Sequence, residues 1–194
     1  MKIKSIIFCG LLWGTIYFGT NNIKLFTAHE LPLFSFEKSI TMHEYWMIPY
    51  VSWVFYIVAF CLSIKNDTKK FIRLATGLVV VHALIFIFYP VEFPRNYDLN
   101  SLCAVNKFLL NCDNPQNCLP SLHVSLIFLT LLSAQLLGIS KKMRYFFIIW
   151  GMIIMISVIF VKQHYIIDVM AGIIVTTIYF YLFFLFKDRL RGSF

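Results

Sequence analysis

The chain has 194 residues, of which 60% are apolar and 13% charged, and its mean hydropathy is +0.78. Such a composition excludes an ordinary water-soluble domain and reads as an integral membrane protein. The formal net charge of +8 would suit a nucleic-acid partner, but its distribution along the chain assigns it to membrane topology instead.

A bilayer crossing needs about 20 apolar residues. Six stretches qualify, roughly Ser5–Thr20, Tyr45–Ile64, Phe71–Tyr89, Ser121–Gly138, Met143–Val161 and Tyr165–Phe186. They predict an all-α fold, a six-transmembrane-helix bundle forming one domain over residues 1–194. Met1–Thr20 has the basic start and short apolar run of a secretory leader, but no small-x-small cleavage site follows, so it reads as a retained first span. Gly10 and Gly14 within it offer a close-packing face. Asn21–Glu44, broken by Pro32, is partly amphipathic and either lies at the interface over a site or merely connects. Its His29 and His43 read as solvated surface.

Lys65–Lys70 is a tight polar turn between the second and third spans. His82, alone in the third, reads as a hydrogen-bonded packing residue. The connection from Pro90 to Pro120 contains Asn-Cys-Asp-Asn-Pro-Gln-Asn-Cys, ending at Cys118, whose turn formers argue against regular structure. Ser140–Arg144 joins the fourth and fifth spans. The fifth then hands over to a polar island, Lys162–Asp168.

With the N-terminus inside, the inner segments hold Lys2, Lys4, Lys65, Lys69, Lys70, Arg73, Lys141, Lys142, Arg144, Lys187, Arg189 and Arg191, which is 12 of the 17 cations. Lys24, Lys38, Arg95, Lys107 and Lys162 fall outside, whereas only Asp67 and Asp188 of the nine acids fall inside. This bias predicts cytoplasmic termini and places the polar islands on the outer side. Of five cysteines, Cys9 and Cys61 sit in apolar runs and read as packing, while Cys103, Cys112 and Cys118 share the long outer loop. In an oxidising exterior Cys112 and Cys118 could close a small loop, with Cys103 as partner or spare. No histidine stands at zinc-ligand spacing within that loop.

Ionisable groups at membrane depth are functional by default. His164 and Asp168 are four residues apart, so on a helix the carboxylate reaches the imidazole, which could then serve as general base, metal ligand or nucleophile. Cys118-Leu-Pro-Ser-Leu-His123 stands before another apolar run and puts Ser121 and His123 at a helix N-terminus, where backbone N–H groups favour an anion. Tyr89-Pro-Val-Glu-Phe-Pro-Arg95 adds a guanidinium able to clamp phosphate.

Pro-Ser-Leu-His followed some forty residues later by His-Tyr-Ile-Ile-Asp-Val resembles the type-2 phosphatidic acid phosphatase superfamily, over Tyr89–Gly172 for motifs. Arg95 matches the arginine of its first motif, though Phe88 stands where a lysine is expected and Asn96 where a proline is. Ser121 and His123 match the second motif, with Leu122 in place of glycine. Ser157, His164 and Asp168 fall in register with the third, whose arginine position is Val158. Lys162 stands near enough to restore one of the two lost cations. The string also resembles the branch that contains inositol-phosphoceramide and sphingomyelin synthases.

The resemblance implies a lipid phosphatase or phosphotransferase working without metal or other cofactor at the outer membrane face. His164 would attack phosphorus, Asp168 would orient it, and His123 would protonate the leaving alkoxide and then activate water or an alcohol. Arg95, Ser121, Lys162 and Ser157 would hold the phosphoryl oxygens. The implied partners are the bilayer and a phospholipid or polyprenyl phosphate substrate, with no nucleic acid. A transporter or catalytically silent relative is the rival that the two missing cations make room for.

Overall fold

The computed structural model describes residues 2–23, 25–65, 68–95 and 102–191, with side chains of Lys2 and of 184–191 left aside. Lys24, Asp67, Asp98 and the first-motif position Asn96 therefore lie outside the described residues, as do the side chains of Lys187, Asp188, Arg189 and Arg191. Long helices dominate: α1 (Lys2–Asn22), α5 (Thr68–Phe88), α8 (Lys141–Phe160) and α9 (Ile166–Arg191). Between α1 and α5 the chain forms a two-residue strand β1 (His29–Glu30), a short helix α2 (Ser35–Ser39), and a span built from a 3-10 turn, α3 (Met47–Val51) and α4 (Trp53–Ser63). After α5 come β2 (Val91–Glu92), α6 (Ala104–Cys112) and the short α7 (Leu122–Ala134).

Five of the described segments are long and apolar enough to cross a membrane: Ile3–Asn22, Glu44–Ser63, Thr68–Phe88, Lys141–Phe160 and Ile166–Phe183. The expected fourth span, Ser121–Gly138, is instead a helix of only 13 residues, about 20 Å long. Its position explains the difference. α7 packs against α4, α5, α8 and α9, and nearly all its side chains are buried. A helix surrounded by protein need not match the hydrocarbon thickness, because its flanking irregular backbone is also covered by protein. After α7 the chain turns at Gly138, whose φ of 67° suits glycine, with Leu137 and Ile139 buried on either side.

Buried polar groups tie the bundle together across helices. Trp13 Nε1 donates to Thr76 Oγ1 at 2.9 Å, which seats α1 on α5. Tyr56 bonds Thr130 at 2.6 Å, linking α4 to α7. His82 is buried as a packing residue, with Nδ1 2.9 Å from the Leu78 carbonyl and Nε2 2.9 Å from Ser125 Oγ, joining α5 to α7. Gly10 and Gly14 do not form the close-packing face expected of them, since a Cβ built on either meets nothing within 4 Å.

The connections at one end are more ordered than their turn-rich composition predicts. β1 pairs in parallel with β2, and Val91 bridges Asn117, so three segments distant in sequence form one small patch of sheet. Within the long loop α6 runs to Cys112 and stops where the run of turn formers begins. Asp113 accepts from Tyr17, Asn21 and Tyr50 and thereby binds this loop to α1 and α3. His29 and His43 are both exposed, with His29 stacked on Tyr89. Asn21–Glu44 is more than a connection: Glu37 of α2 is buried, and its carboxylate accepts from the Phe34 and Ile166 amides at 2.7 and 2.6 Å.

Candidate active site

The C-terminal ends of α1, α5 and α8 and the N-terminal ends of α3, α7 and α9 meet at this ordered end. Here the two polar islands come together. His164, just before α9, and His123, in the first turn of α7, have ring centroids 6.0 Å apart with the planes at 65°. Both are nearly buried, at 5% and 8% exposure.

His164 is held through one nitrogen. Its Nδ1 lies 3.1 Å from the Cys118 carbonyl oxygen and 3.3 Å from Asp168 Oδ2. Both neighbours are acceptors, so Nδ1 must carry the hydrogen, and Nε2 is left with its lone pair. Asp168 Oδ2 also accepts from the Tyr165 amide at 3.0 Å, the reach-back half of a capping box at the start of α9. The same carboxylate therefore starts the helix and sets the tautomer. Its other oxygen, Oδ1, is buried with no hydrogen-bond partner among the described residues.

His123 is fixed by rings. Tyr50 stacks on it at 4.8 Å and Trp53 meets it edge-on at 5.1 Å. Neither of its nitrogens hydrogen-bonds to any described residue, so both stay available to a ligand. Ser121 caps α7, accepting from the Val124 amide at 3.4 Å, while its own amide donates to the Asp168 carbonyl at 3.1 Å. The cap uses a lone pair of the hydroxyl and leaves its O–H able to donate. At α9 the corresponding anion position is already filled by Glu37, whose carboxylate takes the Ile166 amide. The α7 end is thus the one open to a phosphate.

The expected clamp differs in detail. Arg95 does reach this end, but its Nη1 donates to the Leu110 carbonyl at 2.7 Å and its Nη2 to the Asp113 carbonyl and to Gln163 Oε1 at 2.8 Å. A guanidinium carries more donors than these acceptors use, and Nε is buried without a partner among the described residues. Lys162 Nζ donates to the Glu37 carbonyl at 2.7 Å; burial lowers its pKa, with the Glu37 charge acting the other way. Ser157 is directed elsewhere. Its hydroxyl donates to the Ile154 carbonyl at 2.6 Å inside α8. Val158, at the family's arginine position, is fully buried in the apolar core, and Phe88, at the lysine position, is exposed.

Cys118 is a free thiol, not half of a disulfide, and so are Cys103 and Cys112. It is buried, and its Sγ donates to the Pro115 carbonyl at 3.0 Å. Burial pushes this thiol well up, and the Asp168 charge adds to the effect. Spacing within the loop showed no metal-ligand pattern, yet the fold brings Cys118 to His164 and Asp168 from 46 residues away in sequence. Glu37, Tyr50, Trp53 and Asp113 likewise join the site without a signal in the sequence.

Close packing at Gly172 sets the distance between the two histidine-bearing helices. A Cβ there would stand 2.9 Å from the Ser121 carbonyl oxygen and 3.0 Å from Ser125 Oγ. Backbone cannot swing aside, so Gly172→Ala is expected to push the start of α7, with His123, away from His164. A loss of turnover on the order of 10²-fold is expected, measured in folded protein, because a displacement of about 1 Å is enough. Unchanged turnover would mean that the spacing of α7 and α9 is not critical.

No curated protein and no solved structure matches the chain. The PAP2 superfamily does, over residues 36–182, a stretch that holds both histidines, Asp168, Arg95, Lys162 and the ends of α3, α5, α7, α8 and α9 that meet at the site. Since that match covers well over half of the chain, the chain belongs to the PAP2 superfamily of phosphatases and phosphotransferases.

Proposed function

We propose that this protein is a lipid phosphatase that hydrolyses a phosphate ester or pyrophosphate of a membrane lipid through a phosphohistidine. The observation that carries the reading is the pair of histidines supplied by two helix ends, one of them locked in the tautomer with a bare Nε2. His164 Nε2 attacks phosphorus and the bond to the leaving oxygen breaks. Asp168 stabilises the imidazolium formed, and His123 protonates the leaving alkoxide. In the second step His123 takes a proton from water, whose oxygen attacks phosphorus and releases His164. The Ser121 hydroxyl, the α7 N-terminus and Arg95 Nε are donors with capacity left for the phosphoryl oxygens. Ser157 is the weakest of the expected phosphate ligands, because its hydroxyl is occupied.

The whole of 1–194 acts as one domain in this reading, with α7 completing a sixth crossing packed among α4, α5, α8 and α9. The cation bias puts both termini in the cytoplasm and the histidines at the outer face. A membrane-impermeant thiol reagent applied to intact cells should then reach cysteines placed at Asn96–Asn106 and miss those at Lys65–Lys70. The reverse labelling would move the site to the cytoplasmic side.

Phosphatidate, phosphatidylglycerophosphate, polyprenyl pyrophosphate and lipid A all present the required group. A panel of these assayed for released phosphate on purified protein tests the reading. The His164-Tyr-Ile-Ile-Asp-Val string favours a second reading, transfer to an alcohol of another lipid. Phosphate that appears in a lipid product and not in solution would establish it. Neither product from any lipid would leave a catalytically silent relative.

Lys162 offers a separate check. It occupies the left-handed position (φ 53°) just after α8, where the Gln163 and Lys162 amides return to the Val158 and Ile159 carbonyls. Glycine is the usual residue in that Schellman turn, and a lysine there costs about 1 kcal/mol. Lys162→Gly is therefore expected to leave thermal stability equal or higher while lowering turnover about 10²-fold. A variant as active as wild type would remove Lys162 from the phosphate site.

A further inference from the structure

The Sγ of Cys118, a ring nitrogen of His164 and a carboxylate oxygen of Asp168 all lie within 4.8 Å of one another, and all three residues are buried. Of the two carboxylate oxygens, Asp168 Oδ1 is buried with no hydrogen-bond partner among the described residues. Thiolate, imidazole and carboxylate are the donor classes that zinc takes, and three such ligands with one open position make a recurrent zinc geometry. Tetrahedral bonds of normal length space the ligand atoms by roughly 3.3–3.8 Å. The three atoms, within 4.8 Å of one another, need to close by roughly 1–1.5 Å at most, which a change of the Cys118 side-chain torsion can supply without moving either helix.

We propose that Cys118, His164 and Asp168 form an inhibitory binding site for Zn²⁺ or another thiophilic divalent ion. Binding of the ion is independent of the reaction assigned above, whereas its inhibitory effect rests on that assignment. Coordination by Sγ releases the thiol proton to solvent. Coordination by His164 Nδ1 requires the imidazole hydrogen to pass from Nδ1 to Nε2, so the lone pair that would attack phosphorus is lost and Asp168 is drawn to the metal. An ion bound at Nε2 instead covers that lone pair directly. In either arrangement an occupied site cannot form phosphohistidine, and the ion acts as an inhibitor, not a cofactor.

The test uses the full chain in detergent, stripped with EDTA, after the exposed Cys103 and Cys112 have been alkylated. Cd²⁺ is the probe for binding, because sulfur-to-cadmium charge transfer absorbs in the ultraviolet, and Zn²⁺ is the probe for inhibition. One cadmium per chain is expected, absent from Cys118→Ser and bound at least tenfold more weakly by Asp168→Asn. Zn²⁺ should stop turnover reversibly, with EDTA restoring it. The concentration needed should rise at least tenfold in Cys118→Ser, each protein being compared with its own metal-free rate. Serine keeps a donor for the Pro115 carbonyl, and Cys118→Ala serves as a second variant should serine disturb the fold. The same cadmium signal in both variants as in wild type, no signal in folded wild-type protein, equal zinc inhibition of all three, or turnover raised by zinc would each overturn the proposal. If no lipid is hydrolysed at all, the cadmium titration still decides whether the site exists.

Discussion

Replacing His164 with alanine is expected to lower turnover by more than about 10³-fold, and by the same factor on alkyl and aryl phosphates. Attack and departure belong to one displacement, and without the nucleophile neither kind of leaving group is displaced, so a better leaving group cannot rescue its loss. Asp168 is the more informative position because one oxygen does two things, accepting from both the Tyr165 amide and His164 Nδ1. Asparagine with its oxygen in the Oδ2 position keeps both contacts but carries no negative charge to stabilise the imidazolium that forms on His164. Asp168→Asn should therefore fold normally and lose about 10²-fold or more in turnover. Asp168→Ala should lose that activity and also about 1 kcal/mol of stability, as α9 loses its cap. The measurements are kcat on a soluble aryl phosphate and thermal unfolding in detergent. Wild-type turnover in Asp168→Asn would show that the carboxylate serves the helix and not the histidine.

The residues legible from sequence were those whose chemistry conflicts with their surroundings. His123, His164 and Asp168 stand out because charge between apolar runs is costly, and the i,i+4 spacing of the last two is enough to predict their contact. Residues that fit their local composition gave no such signal. Glu37 lies in a polar connection where nothing singles it out, yet the fold buries it against the start of α9. Tyr50 and Trp53 are two aromatics among many in an apolar span, and only the packing of α3 and α4 against α7 brings them onto His123. Arg95 is legible as a cation near the site but not as a brace, because two of its acceptors are the backbone carbonyls of Leu110 and Asp113, in α6 and just after it, within a segment whose composition argues for turns. The length of α7 was misjudged for a related reason: hydropathy reports the apolar run but not whether lipid or protein surrounds it.

The role of His123 calls for a test that separates it from His164, since removing either should be severe. If His123 gives its proton to the departing alkoxide, His123→Ala should be worst on alkyl phosphates, whose leaving groups are poor, with losses of about 10²–10⁴-fold. An aryl phosphate leaves readily without a proton, so the first step on that substrate should fall by about tenfold or less. The second step should still suffer, because the base that activates water has gone as well. His123→Ala is therefore expected to accumulate phosphohistidine from the aryl substrate, visible as a burst of phenol and as acid-labile phosphate on the protein. The aromatic cage supports this variant structurally: Tyr50 retains its bond to Asp113 and Trp53 stays on its own helix, so losing the imidazole opens space without leaving either residue unanchored. Equal losses on alkyl and aryl phosphates, with no burst and no trapped phosphate, would remove His123 from the proton-transfer role and leave it as a phosphate ligand alone.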